Sequence, residues 1–129
     1  MKRTIKSALI ISCAMLCCLL TSCKDNEKLI LGTWHLQGYA QHNPHVYFND
    51  NSNEVWEFRA NGKLVITQNG QLYEDWNYSV SGSDLYLSFR EGTNIFSRNY
   101  IIDKLNDDKL TLDIYLLPDS TLFTYEFVR

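Results

Sequence analysis

The side chains that could do chemistry are few, and their spacing argues against catalysis. His35, His42 and His45 fall within one short stretch and invite a metal. A metal needs several ligands converging in rigid geometry, whereas alternation turns His35 outward and leaves His42 and His45 in a loop. No metal and no cofactor is therefore expected. Glu74, between Leu72 and Trp76, and Arg98, between Phe96 and Tyr100, are charges in the apolar phase of their segments. Turned inward they would have to pair, because a lone buried charge is prohibitively costly, and the pair could orient a polar ligand. The favoured reading is plainer, a β-bulge or a strand end. Hydrolytic chemistry has less support still: there is no Gly-x-Ser-x-Gly elbow, and no histidine has obvious serine and acid partners. The neighbouring acids Asp107-Asp108 and Glu74-Asp75 fall in a turn or on alternate faces, where solvated charge is the expected role. No catalytic residue is expected, and the chain is not read as an enzyme.

The four cysteines, Cys13, Cys17, Cys18 and Cys23, all precede residue 24. They belong to a segment with its own pattern: Lys2, Arg3 and Lys6, then an apolar run from Ala8 to Leu20 interrupted only by Ser12. A charged start, a short apolar middle and small residues before a cut site make a secretory signal peptide. The run is shorter than the roughly 20 apolar residues of a membrane span. Leu20-Thr21-Ser22-Cys23 resembles the lipobox of bacterial lipoproteins, which are cut before the cysteine and carry lipid on it. The resemblance implies that residues 1–22 are the signal peptide, that Cys23 is the lipid attachment site, and that 23–31 form a lipidated tether. At about 0.8 kcal/mol per buried methylene, two or more acyl chains hold a protein stably at a membrane. Lys24-Asp25-Asn26-Glu27-Lys28 is similar to export signals that send some Gram-negative lipoproteins to the cell surface, and reads equally well as a solvated linker. The expected address is the envelope of a Gram-negative bacterium, at the outer membrane, with the leaflet left open.

Removing residues 1–22 leaves 107 residues, enough for one core. Basic residues fall from 12 to 9 while all 15 acids stay, a net charge of −6 with histidine neutral. That balance argues against nucleic acid as a partner, since phosphate binding needs a basic patch. With Cys23 taken by lipid, the domain 32–129 has no disulfide, and its stability must come from packing. All 17 aromatic residues lie in this part.

From Gly32 onward the apolar residues recur every second position. Trp56 and Phe58, Leu64 and Ile66, the set Leu72, Trp76, Tyr78 and Val80, and the set Leu85, Leu87 and Phe89 each share a face. Leu110, Leu112, Ile114 and Leu116 form the cleanest stripe, and Phe123, Tyr125 and Phe127 close the chain. One apolar and one polar face per segment means antiparallel sheet with one side on a core. Asn61-Gly62 and Asn69-Gly70 are read as two-residue hairpins of type I′. Ser81 to Asp84, Asn106 to Asp108 and Pro118 to Ser120 are further turns. With strands at Thr33–Ala40 and Ile95–Lys104 the total is eight in up-and-down order. Only Gln41–Asn53, polar and interrupted by Pro44, makes a long connection. The simplest closure of such a meander is an all-β, eight-stranded antiparallel up-and-down β-barrel, which leaves no edge strand.

Gly32-Thr33-Trp34, Trp56-Glu57-Phe58 before Asn61-Gly62, Tyr100-Ile101-Ile102 with Leu105, and the closing Tyr125-Glu126-Phe127-Val128-Arg129 together resemble the lipocalin-like domains of bacterial lipoproteins. The resemblance implies that Trp34 closes the barrel base with Arg129 packed on its ring. Two departures mark a shortened relative: the Thr-Asp-Tyr motif of full lipocalins is absent, and their helix after the eighth strand has no counterpart before Arg129. The inward set is Trp34, Trp56, Phe58, Trp76, Tyr78, Phe89, Tyr100, Phe123, Tyr125 and Phe127. An eight-stranded barrel can be filled by such a set or can hold one small ligand. A filled core is the favoured reading. The alternative is an aromatic cup under Gln41–Asn53, with Trp56, Phe58, Trp76, Tyr78, Tyr100, Tyr125, Glu74 and Arg98 as candidate ligand-binding residues. The expected function is binding of a small apolar or amphipathic molecule. The alternative is a non-enzymatic interaction or inhibitor module that presses Tyr39, Tyr47, Phe48, Tyr73, Tyr86 and Tyr115 on an envelope protein.

Overall fold

Nine antiparallel strands carry most of residues 26–129, the part that the computed structural model describes. They are β1 (Gly32–Gln41), β2 (Val46–Asn49), β3 (Glu54–Phe58), β4 (Lys63–Gln68), β5 (Gln71–Ser81), β6 (Asp84–Glu91), β7 (Asn94–Leu105), β8 (Lys109–Leu116) and β9 (Thr121–Val128). From β3 to β9 each strand pairs with the next, and β9 pairs back on β1 along His35–Gln41. β1 and β3–β9 thus close an eight-stranded barrel. The segment read from the sequence as a signal peptide, Cys23 and residues 24–25 lie outside the described residues. Among those described, no helix is long and apolar enough to cross a membrane.

The ninth strand is β2, inside the stretch read from the sequence as a polar loop. Val46, Tyr47 and Phe48 extend the upper half of β1 as a short hairpin, pairing Gln41 with Val46 and Gly38 with Asn49. β3 takes the same side of β1 lower down, from Gly32 to His35. Four exposed residues show no alternation, which is why periodicity misses them. Asp50 then turns the chain into β3: its carboxylate accepts from the amides of Ser52 and Glu54 and from the Ser52 hydroxyl. Those donors outweigh the burial that opposes them and hold the Asp50 carboxyl below its ordinary pKa.

Two β-bulges overturn the parity expected from the sequence. Opposite Ile66 and Thr67, β5 spends an extra residue at Tyr73, which throws Leu72 outward to 68% exposure instead of onto the core. In β1 the extra residue is Gln37, so Tyr39 pairs with Tyr125 and faces inward, not outward. A bulge shifts every later side chain to the other face, and plain alternation cannot locate it. The turns also differ from one another. Asn69 (φ 52°) and Gly70 (φ 78°) form the expected type I′ pair. Asn61-Gly62 does not: the Arg59 carbonyl accepts from Gly62, Arg59 pairs with Lys63, and only Gly62 (φ 82°) is left-handed. This is a three-residue loop with a glycine bulge.

The core fills the closed end of the barrel. Trp34, Phe58, Leu64, Leu85, Leu87, Leu110, Leu112 and Phe127 are all at most 2% exposed. Below them residues 26–29 make one helical turn, and Ile30, fully buried, plugs the base. The Trp34 indole donates to the Ile30 carbonyl at 2.8 Å. The Arg129 guanidinium lies 4.0 Å from the Trp34 ring centroid and donates to the carbonyls of Asp107, Leu31 and Leu29. The barrel-base pairing implied by the lipocalin resemblance is therefore present, and it also ties down the segment before β1.

Gly38 lies where β2 crosses the wall. A Cβ there would clash with the Phe48 carbonyl oxygen and come within 2.6 Å of the Tyr47 hydroxyl. Backbone cannot give way cheaply to such a clash. Gly38→Ala is expected to push β2 off β1 at a cost of about 1–3 kcal/mol. Hydrogen exchange should then show the amides of residues 46–49 unprotected while those of β8 keep their protection. Unchanged protection in β2 would show that the flap does not need this close approach.

Candidate functional site

The open end of the barrel is hollow. A cavity of about 430 Å³ is lined by residues from β1, the 50–52 turn, β3, β4, β5, β7, β8 and β9, so it lies on the barrel axis. A second hollow of about 470 Å³ lies to one side, walled by β5, β6 and β7 alone through Trp76, Phe89, Phe96 and their neighbours. The two share Tyr73, Glu74 and Arg98. The filled core that the sequence favours holds for the closed end and fails at the mouth. There the strands run past the last fully packed layer, and the Gln41–Asn53 segment adds Asp50 and Ser52 to the rim.

Glu74 and Arg98 both face this space, contrary to the plainer sequence reading. The bulge that was expected to displace Glu74 falls instead at Tyr73 and displaces Leu72. The Glu74 side chain is 25% exposed, and its Oε2 accepts from the Trp76 indole at 2.7 Å. Arg98 Nη1 is 3.9 Å from the same oxygen, and the guanidinium is 5.2 Å from the Trp76 ring centroid. Burial works against the Arg98 charge, but Tyr100 and then Glu74 outweigh it and raise its pKa further. The cation sits across the boundary between the two hollows.

Aromatic rings make the other wall. Tyr39 lies 5.4 Å from Tyr125 and 6.1 Å from Phe123, and Tyr100 is 6.2 Å from Tyr125 and 5.7 Å from Trp56. Phe48 of β2 stacks on Tyr39 at 5.0 Å, so the flap touches the mouth. Among the candidates, Trp56, Tyr100, Tyr125, Glu74 and Arg98 line the axial cup, and Trp76 lines the side hollow. Phe58 and Tyr78 line neither. Phe58 is packed in the core, and the Tyr78 hydroxyl donates to the Arg59 carbonyl at the closed end. Both stand in the right phase but too low on their strands, and phase alone carries no height.

The cup also uses residues outside the sequence's ligand-binding candidates: Tyr39, Ser52, Glu54, Gln68 and Phe123. Tyr39 was hidden by the Gln37 bulge. Glu54 had a legible signal, because Glu54-Val55-Trp56 repeats the spacing of Glu74-Asp75-Trp76. Its carboxylate accepts from the Trp56 indole and from Gln68, each at 2.8 Å. The histidines stand apart from all of this. His35 is exposed, and His42 is bound on the outer wall, its Nε2 3.0 Å from the Thr124 hydroxyl, which donates to Asp113.

Burial raises the phenol pKa of Tyr125 to about 12, helped by Tyr100 and Tyr39 and opposed by Arg98. Burial also raises that of Tyr100, again opposed by Arg98. A folded value above the unfolded one near 10.0 means the native state holds the proton more tightly. The stability contributed is complete below pH 10 and is lost as pH rises from about 10 to about 12. A melting-temperature series across that window is expected to fall more steeply for the parent than for Tyr125→Phe. Parallel curves would show that Tyr125 ionises as freely folded as unfolded.

The family described as "Lipocalin-like domain" matches residues 30–112. The solved structure of a lipocalin-like protein from Bacteroides uniformis superposes with a TM-score of 0.53 at 16% identity, covering 74% of this chain and 96% of that one. At that identity the likeness concerns the fold alone. No curated protein sequence matches the chain. The closed antiparallel barrel, the Trp34–Arg129 base and a family match over most of the described domain lead to one assignment: the chain belongs to the lipocalin-like domain family.

Proposed function

We propose that this protein is a lipid-anchored envelope lipoprotein whose barrel binds one small amphipathic molecule in its open end, without catalysis. The observation that carries the binding reading is the axial cup of about 430 Å³. It is walled by Trp56, Tyr39, Tyr100, Phe123 and Tyr125 together with Asp50, Ser52, Glu54, Gln68, Glu74 and Arg98, a mixed lining that suits an amphipathic molecule. Its volume falls within the roughly 300–1,000 Å³ of small-molecule sites. The anchor rests on Leu20-Thr21-Ser22-Cys23 and the charged, apolar segment before it. Lys24-Asp25-Asn26-Glu27-Lys28, similar to the export signals of some Gram-negative lipoproteins, supports the outer membrane of a Gram-negative cell as the address. Nothing in the acidic composition favours nucleic acid.

Native mass spectrometry of the protein purified from its own membrane is expected to show the chain with a small molecule attached. The molecule should be lost when Tyr125→Ala and Tyr100→Ala open the cup wall. A bare mass under gentle ionisation would count against the reading. Cys23→Ser is expected to release the protein from the membrane fraction, and its retention there would overturn the anchor.

A second reading, a module that docks on an envelope protein, draws on Tyr47, Phe48, Tyr73, Tyr86 and Tyr115, which are all 41–60% exposed. Tyr39 no longer belongs to that set, since it faces the cup.

A further inference from the structure

The inner wall carries the same small device twice. On β3 and on β5 a glutamate stands two residues before a tryptophan, so both side chains face inward, and the indole donates back to the carboxylate. On β5 the device holds a cation: the Arg98 guanidinium lies 3.9 Å from Glu74 and 5.2 Å from the Trp76 ring centroid. On β3 the Glu54 carboxylate forms no ion pair with Lys, Arg or His among the described residues. It opens instead on the axial cup.

We propose that the cup takes a ligand bearing a cationic group, an alkylammonium or quaternary ammonium, seated on the Glu54 carboxylate against the rings of Tyr39, Tyr100 and Tyr125. This rests on the ligand-binding reading of the same cup. Three observations carry it. First, Glu54 is held by Trp56 and Gln68, one on each oxygen, so it is rigid, and each oxygen keeps a further lone pair for a ligand. Second, the rings beside it form an aromatic corner, and π faces attract cations, most of all where water is excluded. Third, the cup's charges are Asp50, Glu54 and Glu74 against Arg98 alone, which favours a cation over an anion. Arg98 does not offset this for an anion, because it already faces Glu74 and Tyr100 and covers Trp76.

Three probes of one shape separate the possibilities: a phenylalkyl trimethylammonium, the matched phenylalkyl carboxylate and the matched alcohol. Each is titrated into the purified full-length chain by calorimetry. The ammonium is expected to bind at least about tenfold more tightly than the alcohol, and the carboxylate more weakly than either. Glu54→Gln, which keeps the size of the side chain and can still accept from the Trp56 indole while Gln68 turns its amide oxygen to the new NH2, should bring the ammonium down to the alcohol. The probe series on the unaltered chain stands even if that variant folds poorly. Tightest binding by the carboxylate, abolished in Arg98→Gln, would overturn the inference and make Arg98 the anchor of an anion. Equal binding of all three would also overturn it and leave the cup intact as a binding site. If no probe binds, the inference and the ligand-binding reading fall together.

Discussion

Truncating Phe127 to alanine is expected to destabilise the protein by about 3–5 kcal/mol, the range for removing a buried phenylalanine from a packed core. The ring is 1% exposed on β9, next to the seam where the barrel closes. Its residue pairs with Leu36 of β1 on one side and Leu110 of β8 on the other. Across the interior it meets Trp56 edge-on, with ring centroids 4.9 Å apart. The loss combines transfer of the ring to water with a cavity that two hydrogen-bonded neighbours cannot collapse to fill. For a domain of this size the melting temperature should fall by roughly 15–25 °C. Tyr115→Ala is the control, because Tyr115 is 60% exposed on the outer face of β8 and should change stability by no more than about 0.5 kcal/mol. Equal shifts for the two variants would mean that the seam is not held by this ring.

The second large effect is at the base. Arg129→Ala removes a cation–π contact with Trp34 and three donated hydrogen bonds at 2.7, 2.8 and 3.0 Å. It leaves the carbonyls of Leu29 and Leu31 without that partner. The side chain is exposed at its edge, so each bond counts for less than a buried one. About 2–3 kcal/mol is expected, or a fall of roughly 10–15 °C in melting temperature. Arg129→Lys should recover only part of it, because a point charge cannot reach three carbonyls from one plane. Hydrogen exchange should place the damage first in residues 26–31, which the guanidinium ties to the barrel. An unchanged melting temperature in Arg129→Ala would falsify the role assigned to this contact.

The legible part of this fold is the part governed by local pattern. Alternation located the eight barrel strands to within a residue or so at β1 and β7, because a half-buried strand must place apolar side chains at every second position. The lipocalin resemblance, carried by the Gly-x-Trp opening, implied that Arg129, in phase with Phe127, packs on Trp34, and the contact is present. The errors have two causes. Leu72 and Tyr39 were assigned to the wrong face because single-residue bulges at Tyr73 and Gln37 reverse parity without leaving a mark in composition. β2 was taken for loop because four exposed residues have no face to alternate.

The candidate site was legible in residue type and not in position. Trp56, Trp76, Tyr100, Tyr125, Glu74 and Arg98 were all picked out by phase, and all line the axial cup except Trp76, which lines the side hollow. Phe58 and Tyr78 share that phase, yet they lie in and below the packed layer, since period two says which way a side chain points and nothing about its height on the barrel. Glu54 could have been found from its spacing to Trp56, repeated at Glu74 and Trp76.

The sequence by itself determined the strand pattern, the aromatic interior and the lipobox-like Leu20–Cys23, because each is a local property of neighbouring residues, while the pairing at the base came from the lipocalin resemblance. The tertiary structure alone decided that the closed end is filled and the mouth hollow. It also decided that Arg98 reaches Glu74 and that Glu54 is left facing the cup. Those outcomes depend on strand register around a closed ring, which is set when the last strand meets the first and cannot be read from any one of them.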